Sequence, residues 1–383
     1  MSQTKTDPRL LRAPPRRPIR LSWSDERVRG VVWQALVVGV VGAIAWWLWS
    51  NTVHNLEVRR IATGFGFLGR EAGLPIAESL IEYSPTDTYL RALTVGLLNT
   101  LKVAVVGIVL ATVLGTLVGI ARLSRNWLLS KIAGVYVEVI RDLPLLLQLL
   151  FWYAVLQGLP GPRQALNPVG GVYLANRGLL LPALDWQPAH SWALLAFLAG
   201  AVATWLYRRR AIARRMQDGQ PRPVWPIALA LLVALPVAVW AALGAPWTID
   251  WPVLRGFNFR GGLNISPEYF ALLLGLVLYT AGFIAEIVRA GILAVAHGQW
   301  EAAQALRVIV PPMTSQFLNL TKNSSLAVAI GYQDIVSIAN TTLNQTGQAI
   351  EGIAIIMLVY LTISLSISLF MNWYNARIAL VER

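Results

Sequence analysis

Three stretches of this chain set ionisable or hydrogen-bonding side chains into otherwise apolar runs. YVEVIRDLPLLLQLLFWY carries Glu138, Arg141, Asp142 and Pro144. YTAGFIAEIVRAGI carries Glu286 and Arg289. LNLTKNSSLAVAIGYQD carries Asn319, Lys322, Asn323, Ser324, Ser325 and Asp334. A charge inside lipid costs at least about 2.5–3.5 kcal/mol on insertion scales, so each of these groups needs a partner or a task. Glu138, Arg141, Asp142 and Arg289 lie in the inner part of their runs, where pairing with one another near the membrane surface accounts for them. Lys322 differs. It stands roughly 20 Å along a helix from Arg307, too deep to snorkel, and three small polar side chains follow it. These could reopen the backbone or bind a polar solute. Lys322 therefore either contacts or gates a solute or pairs with Glu286, and the residues leave both readings open.

The elements that carry these groups follow from composition. Of 383 residues, 56% are hydrophobic and only 13% are charged, against about a quarter charged in soluble domains. The apolar residues come in blocks long enough to cross the roughly 30 Å hydrocarbon layer, which takes about 20 residues of helix. Eight such blocks are expected, near 31–50, 93–121, 132–157, 190–207, 224–244, 267–294, 308–331 and 352–373. The chain is thus expected to be an all-α integral membrane protein. The first block ends in Trp46-Trp47-Leu48-Trp49, which suits an interfacial aromatic belt better than a cleavable signal.

Charge asymmetry orients the spans. The tail 1–30 holds Lys5 and seven arginines against three acids. Alternation from there puts Arg122, Arg125 and Lys131, and the dense run Arg208–Arg215, on the same side. The segment 51–90, where Glu57, Glu71, Glu78, Glu82 and Asp87 outnumber the bases, falls opposite. Eight spans with both termini cytoplasmic satisfy the positive-inside rule at every loop. The net charge of +13 is then a matter of topology and anionic lipid rather than nucleic acid.

Several functions are excluded or disfavoured. The chain has no cysteine, so disulfides, thiolate metal sites and cysteine nucleophiles are impossible. His54, His190 and His297 are too far apart in sequence to suggest a metal cluster. No Gly-Lys dipeptide occurs, hence no GxxxxGK[ST] phosphate loop, and neither HExxH nor Gly-x-Ser-x-Gly is present. No catalytic residue and no metal site are expected. If this chain takes part in ATP-driven movement of a solute, ATP and Mg must be bound by another chain.

Four further stretches carry a resemblance. They are Gly96–Lys102; Arg141-Asp142-Leu143-Pro144 through Gln148; Ala285–Ile292 leading to Gly298-Gln299-Trp300-Glu301-Ala302-Ala303; and Pro311-Pro312 through Leu326. In this order they resemble the permease subunits of bacterial ABC importers of polar amino acids, over 91–157 and 267–375. The resemblance implies the type I importer permease core of five helices, here the second, third, sixth, seventh and eighth spans. The extra first span and the inserted pair resemble the general L-amino-acid branch.

On that reading the chain divides into a basic cytoplasmic tail (1–30), an extra helix with a periplasmic segment (31–90), and an N-terminal section of the permease core (91–157). An insertion with two helices (158–266) and the C-terminal section of the core (267–383) follow, with the shortened Glu-Ala-Ala loop at 295–307. The implied location is the bacterial inner membrane. The implied partners are a cytoplasmic ABC ATPase, a second permease in a heterodimeric pore, a periplasmic amino-acid-binding protein and membrane lipid. Glu286, Lys322, Asn323, Ser324, Ser325, Arg141 and Asp142 are the candidates for substrate path or gate. Gly298, Gln299, Glu301, Ala302 and Ala303 are the candidates for ATPase coupling.

The pattern departs from the family in one place. After Glu-Ala-Ala the family carries a glycine about four residues on and an Ile-x-Leu-Pro some ten residues later. Here Arg307 stands at the glycine position and the apolar run begins at once. Roughly fifteen to twenty residues are missing between Leu306 and Arg307, about 22 Å of helix. An ion-coupled carrier and a non-transporting scaffold subunit are the alternatives in the membrane class. A membrane enzyme would demand convergent Asp, Glu or His at one interface, and none cluster there.

Overall fold

A computed structural model describes residues 26–58, 63–218, 223–295 and 302–378. The chain separates into two units, Met1–Gly64 and Phe65–Arg383. In the first, α1 (Glu26–Val58) is a single helix apolar on every side, the pattern of a membrane span. Residues 1–25 of the expected basic tail (1–30) lie outside the described residues.

The second unit is built on α2 (Tyr89–Arg122) and α7 (Pro267–Leu293). Between them in sequence come α3 (Trp127–Asp142), α4 (Leu145–Gln157), α5 (Pro188–Asp218) and α6 (Trp225–Ala242). After α7 come α8 (Ala302–Asn323), a 3₁₀ segment (Ser324–Ile330), α9 (Ile335–Thr346) and α10 (Ala349–Ile378).

Small residues recur every fourth position along α2, at Gly107, Ala111, Gly115 and Gly119, and all four are buried. They let the α7 backbone come close, as small-xxx-small stripes do in lipid, where no hydrophobic force drives helices together. A methyl group at Gly115 would stand 2.7 Å from Ile284 Cβ, and one at Gly119 would stand 2.8 Å from the Ala285 carbonyl. Ile284, Val288 and Leu320 fill the core around this contact.

Two expectations need correction. The run 132–157 is not one helix. Pro144 drives Leu143 into extended geometry (φ −86°, ψ 129°), and α3 and α4 meet at 106°. The Gln148 side chain covers the break, its Nε2 donating to Ile140 O at 2.9 Å and Leu143 O at 3.1 Å.

The run 308–331 is not a uniformly apolar span either. By length and apolarity alone, six helices among the described residues can cross a membrane, or seven with the bent α3–α4 pair taken as one, beside the eight blocks expected. The missing one is α8, whose Arg307, Ser315, Gln316, Asn319, Lys322 and Asn323 make it amphipathic. Pro311 and Pro312 also remove two rungs of its hydrogen-bond ladder.

The all-α expectation holds for the membrane part and fails in the loops. Residues of 158–186 and 248–266 build β1 (Leu166–Val169), β2 (Val172–Ala175), β3 (Gly178–Leu181), β4 (Ala183–Leu184), β5 (Ile249–Asp250), β6 (Val253–Arg255), β7 (Asn258–Arg260) and β8 (Leu263–Ile265). The largest sheet has the order β1-β2-β3-β8, antiparallel throughout. The inserted helices pair with each other: Gly200 of α5 lies against Leu231, in a π turn that precedes Pro236 of α6.

The close α2–α7 approach is testable. Gly119→Ala is expected to lower the unfolding midpoint of the purified protein by the equivalent of about 1–3 kcal/mol, the cost of overpacking. Gly134→Ala, whose added methyl meets nothing within 4 Å, is expected to leave stability unchanged or raise it. Equal responses from the two variants would count against the close approach.

Candidate functional site

Glu286 sits on α7 with three guanidinium groups around it. Its Oε1 accepts from Arg289 Nη2 at 2.7 Å and from Arg289 Nε at 3.3 Å. Its Oε2 is paired with Arg122, from the last turn of α2, and lies 3.9 Å from Nη1 of Arg141 on α3. Arg141 also stands 5.1 Å from the Phe283 ring centroid. One carboxylate thus gathers the ends of three helices. The expected pairing of Arg141 and Arg289 occurs, but with Glu286 rather than with Glu138 or Asp142. Those two acids are exposed and make no ion pair among the described residues. The alternative pairing of Glu286 with Lys322 does not form.

A second polar knot ties the segment before α2 to the other ends of α2 and α7. Glu78 receives Lys102 Nζ at 3.1 Å and the backbone N–H of Ser266 at 3.0 Å. Lys102 also lies 4.1 Å over the Tyr269 ring. Asn99, 1% exposed, donates to Glu78 O at 2.9 Å and Gln333 O at 3.0 Å. The Gln333 side chain accepts from Ala77 N and donates to Pro75 O. Asp334 caps α9 by accepting from Ser337 N at 2.8 Å, and burial pushes its carboxyl up to about 7. Sequence reasoning assigned no chemistry to Glu78, Asn99, Lys102 or Gln333. The signal was Asn99 and Lys102, three residues apart inside an apolar run.

The two ionic groups measure the membrane. From Lys102 to Arg122, and from Ser266 to Glu286, the chain advances by twenty helical residues, about 30 Å, which matches the roughly 30 Å hydrocarbon layer. Leu320 packs on Gly107, five residues inward of Lys102 and so about 7.5 Å into that layer. Lys322 follows two residues later. It therefore lies near the edge of the layer marked by Lys102.

Lys322 is exposed and has no ion-pair partner among the described residues. Ser315 and Asn319 are exposed beside it, at the spacing of one helix face, with Val308 and Pro311 further along. The opposite face of α8 (Ile309, Met313 and Leu320) is buried against the protein. Ser315 went unremarked in the sequence, although its spacing to Asn319 and Lys322 gives it away. The candidates Ser324 and Ser325 point back into the chain: Ser324 Oγ donates to Thr321 O at 2.7 Å, and Ser325 Oγ to Lys322 O at 2.8 Å. Asn323 is half-buried where the 3₁₀ segment begins. Arg141 and Asp142 belong to the exposed α3–α4 break.

Of the coupling candidates, Gly298, Gln299 and Glu301 lie outside the described residues, and Ala302 and Ala303 open α8. From Ala302 the helix runs unbroken through Leu306 and Arg307 into its apolar part.

This is a multi-pass helical membrane protein whose intramembrane charges are paired at both surfaces, with one uncovered polar helix face between. No protein-family model matches the sequence. YhdX of Escherichia coli K12, whose name places it among amino-acid ABC transporter permeases, is 50% identical over 382 residues, covering 95% of this chain and 97% of that protein. The general L-amino acid transport system permease protein AapQ of Rhizobium johnstonii is 48% identical over 383 residues, covering 95% and 96%. The glutamate/glutamine/aspartate/asparagine transport system permease protein BztB of Rhodobacter capsulatus is 42% identical over 423 residues, covering 97% and 99%. A crystal structure of an amino acid ABC transporter with histidines overlays 76% of this chain and 95% of its own, at 20% identity and a TM-score of 0.42. The chain belongs to the permease subunits of amino-acid ABC transporters.

A double-mutant cycle tests the inner cluster. Coupling between Glu286→Gln and Arg122→Gln is expected at about 1–2 kcal/mol, because the Arg122 side chain is 16% exposed and losing its partner strands a half-buried charge. Coupling between Glu286→Gln and Arg141→Gln, where the arginine is 40% exposed, is expected at roughly 0–0.5 kcal/mol. The reverse order would show that the arginines are not ranked by burial.

Proposed function

We propose that this chain is the membrane-spanning half of an importer of L-amino acids in the bacterial inner membrane, energised by a separate ATPase. The observation that carries the reading is the uncovered face of α8. Ser315 and Asn319 present two hydrogen-bonding groups within a layer where such groups are costly against lipid, and Lys322 adds a cation nearer its edge. A water-lined path shared with a second permease chain satisfies them, and Lys322 there offers a counter-charge to a solute carboxylate. Glu286, with Arg122, Arg141 and Arg289, closes the helix ends at the inner surface. Both termini are on the cytoplasmic side, by the positive-inside rule. A periplasmic amino-acid-binding protein delivers the solute. ATP and Mg belong to the partner ATPase, and this chain carries no cofactor. The breadth of solutes follows the general L-amino-acid relative rather than any residue here.

Coupling is where this chain departs from a complete permease. The alignments with YhdX and AapQ run over 382 and 383 residues yet take in 95% of a 383-residue chain, about 364 residues. Close to twenty aligned positions therefore meet no residue here, the size of the segment expected between Leu306 and Arg307. Helix α8 is also continuous through that junction, which leaves no room for a separate docking helix and its return. This supports a chain that inserts and assembles but couples poorly to its ATPase, and it is the observation that favours a non-transporting subunit as a second reading.

The absence of native cysteine makes the path directly testable. In the assembled complex, Ser315→Cys and Asn319→Cys are expected to react with a charged, membrane-impermeant thiol reagent. Val105→Cys and Leu117→Cys, 60% and 61% exposed on α2, are expected to stay unlabelled because they face lipid. Labelling of the second pair and not the first would overturn the path.

Radiolabelled amino-acid uptake with the ATPase and binding protein tests coupling. Inserting a docking segment of the roughly fifteen to twenty residues expected after Leu306 is expected to raise ATP-driven uptake by about tenfold or more, since each tenfold in rate is about 1.4 kcal/mol of barrier. Lys322→Ala in that longer chain is expected to abolish the gain. Equal uptake from the short and long chains would mean that the short patch suffices.

A further inference from the structure

Helix α3 does not run alongside its neighbours. Tyr136 donates to Leu278 O at 2.8 Å, Ile140 packs on Gly282, and Arg141 reaches Glu286. These contacts come from the C-terminal part of α3 alone, Tyr136 to Arg141, and its N-terminal part makes another, Ser130 Oγ donating to Arg122 O at 2.9 Å. Helix α4 does follow α7, with Leu149 on Gly275 and Tyr153 Oη bonded to Glu268. The 106° turn between them lays α3 across the spanning helices at the level of Arg122 and Glu286. Its buried side is Ala133 and Val137, and its open side carries Trp127, Leu128, Ile132, Val135 and Val139, all 47% exposed or more. That is the pattern of a helix lying in a membrane surface.

At the start of α3 the α2–α3 turn forms a shallow groove of about 380 Å³. Ser124, Arg125, Trp127, Ser130, Lys131 and Glu138 line it. Arg125, Lys131 and Glu138 form no ion pair among the described residues. Ser124 Oγ accepts from Asn126 N, which leaves its own hydrogen to donate. Two cations and a hydroxyl stand at one end of the groove, and a carboxylate stands two helical turns further along. Between them the apolar face of α3 runs away from the groove at the depth of acyl chains.

We propose that this groove binds the headgroup of one phospholipid carrying both a phosphate and an ammonium, as phosphatidylethanolamine does. Arg125, Lys131 and the Ser124 hydroxyl hold the phosphodiester. Glu138 meets the ammonium. The acyl chains lie over Leu128, Ile132 and Val135, and Trp127 sits at the glycerol level, where interfacial tryptophans are found. The placement of charge selects this occupant: the two cations at one end face the phosphodiester, and the acid at the other end faces an ammonium and disfavours a headgroup with no cation. The inference rests on the reading of the α2–α3 turn as lying at the inner membrane surface. It does not depend on transport.

Native mass spectrometry of the full chain, purified from an equimolar mixture of phosphatidylethanolamine and phosphatidylglycerol, tests it without any uptake measurement. The unaltered chain is expected to retain one phosphatidylethanolamine in preference to phosphatidylglycerol. R125Q/K131Q is expected to lose retained lipid by about tenfold or more, given about a kcal/mol for each surface cation. R125K/K131R, which keeps both charges and so the insertion signal, is expected to retain it. E138Q is expected to keep lipid but lose the preference. Saturating inorganic phosphate is expected to leave the lipid in place. The proposal is overturned if R125Q/K131Q retains lipid as the unaltered chain does, if E138Q keeps the preference, or if free phosphate displaces the lipid. Retained lipid alongside failed assembly with an ATPase would leave this site standing and count against the importer reading instead.

Discussion

An unpaired charge is costly in roughly 30 Å of hydrocarbon, and the arrangement of the second unit follows from that constraint. Two of its ion-pair groups stand about 30 Å apart along both α2 and α7. Lys102 and Glu78 mark one level, and Arg122, Arg141, Arg289 and Glu286 mark the other. The same pairs join helices that have no hydrophobic reason to associate in lipid. Between the two levels, contact depends on shape. The stripe Gly107, Ala111, Gly115 and Gly119 brings α2 onto Ile284 and Val288 of α7. Electrostatics sets the ends of the helix pair, and close packing fills the distance between them.

The polar face of α8 stands out against that rule. Lys102, Arg122, Glu286 and Arg289 have each found a partner, whereas Lys322 has no ion-pair partner among the described residues. An isolated chain cannot be the functional unit on this geometry. The stripe from Ser315 to Lys322 is stable in a membrane only when water or another subunit lies against it. The Gly331 turn, with φ of 81°, then returns the chain toward Tyr332 and Gln333. These dock on Asn99 and on the segment before α2. The polar face is thus held, at its Lys322 end, by the same knot that pairs Glu78 with Lys102.

Much of the fold was legible in the sequence because hydropathy and charge asymmetry act over whole segments. Six helices long and apolar enough to cross a membrane lie at or near six of the expected positions. What failed was local. Pro144 carried enough information to break the run 132–157, since the residue before a proline is pushed out of helical geometry, but apolar length outweighed it. The span expected at 308–331 overlooked the period at which Ser315, Asn319 and Lys322 recur. The strands were announced by Gly170-Gly171 between Val169 and Val172, a two-residue hairpin turn, inside a stretch expected to be plain loop. The ionic sites were legible as charges needing partners. Which partner each one took was not, because Glu286 meets Arg122 across 164 residues of sequence.

The Leu306–Arg307 junction lies outside the contacts that hold α2, α4, α7 and α9 together. The contacts among α2, α4, α7 and α9 are made by residues on either side of the Leu306–Arg307 junction, and none of them needs a longer loop there. Deleting a surface loop costs a packed unit little, since closure entropy varies only slowly with loop length. Force transmission is less tolerant, because a docking helix either reaches its partner or does not. A loss at this junction therefore separates two properties that a complete permease combines. The chain retains the packing and ion pairs that let it fold and insert, along with the polar face that a second subunit would cover.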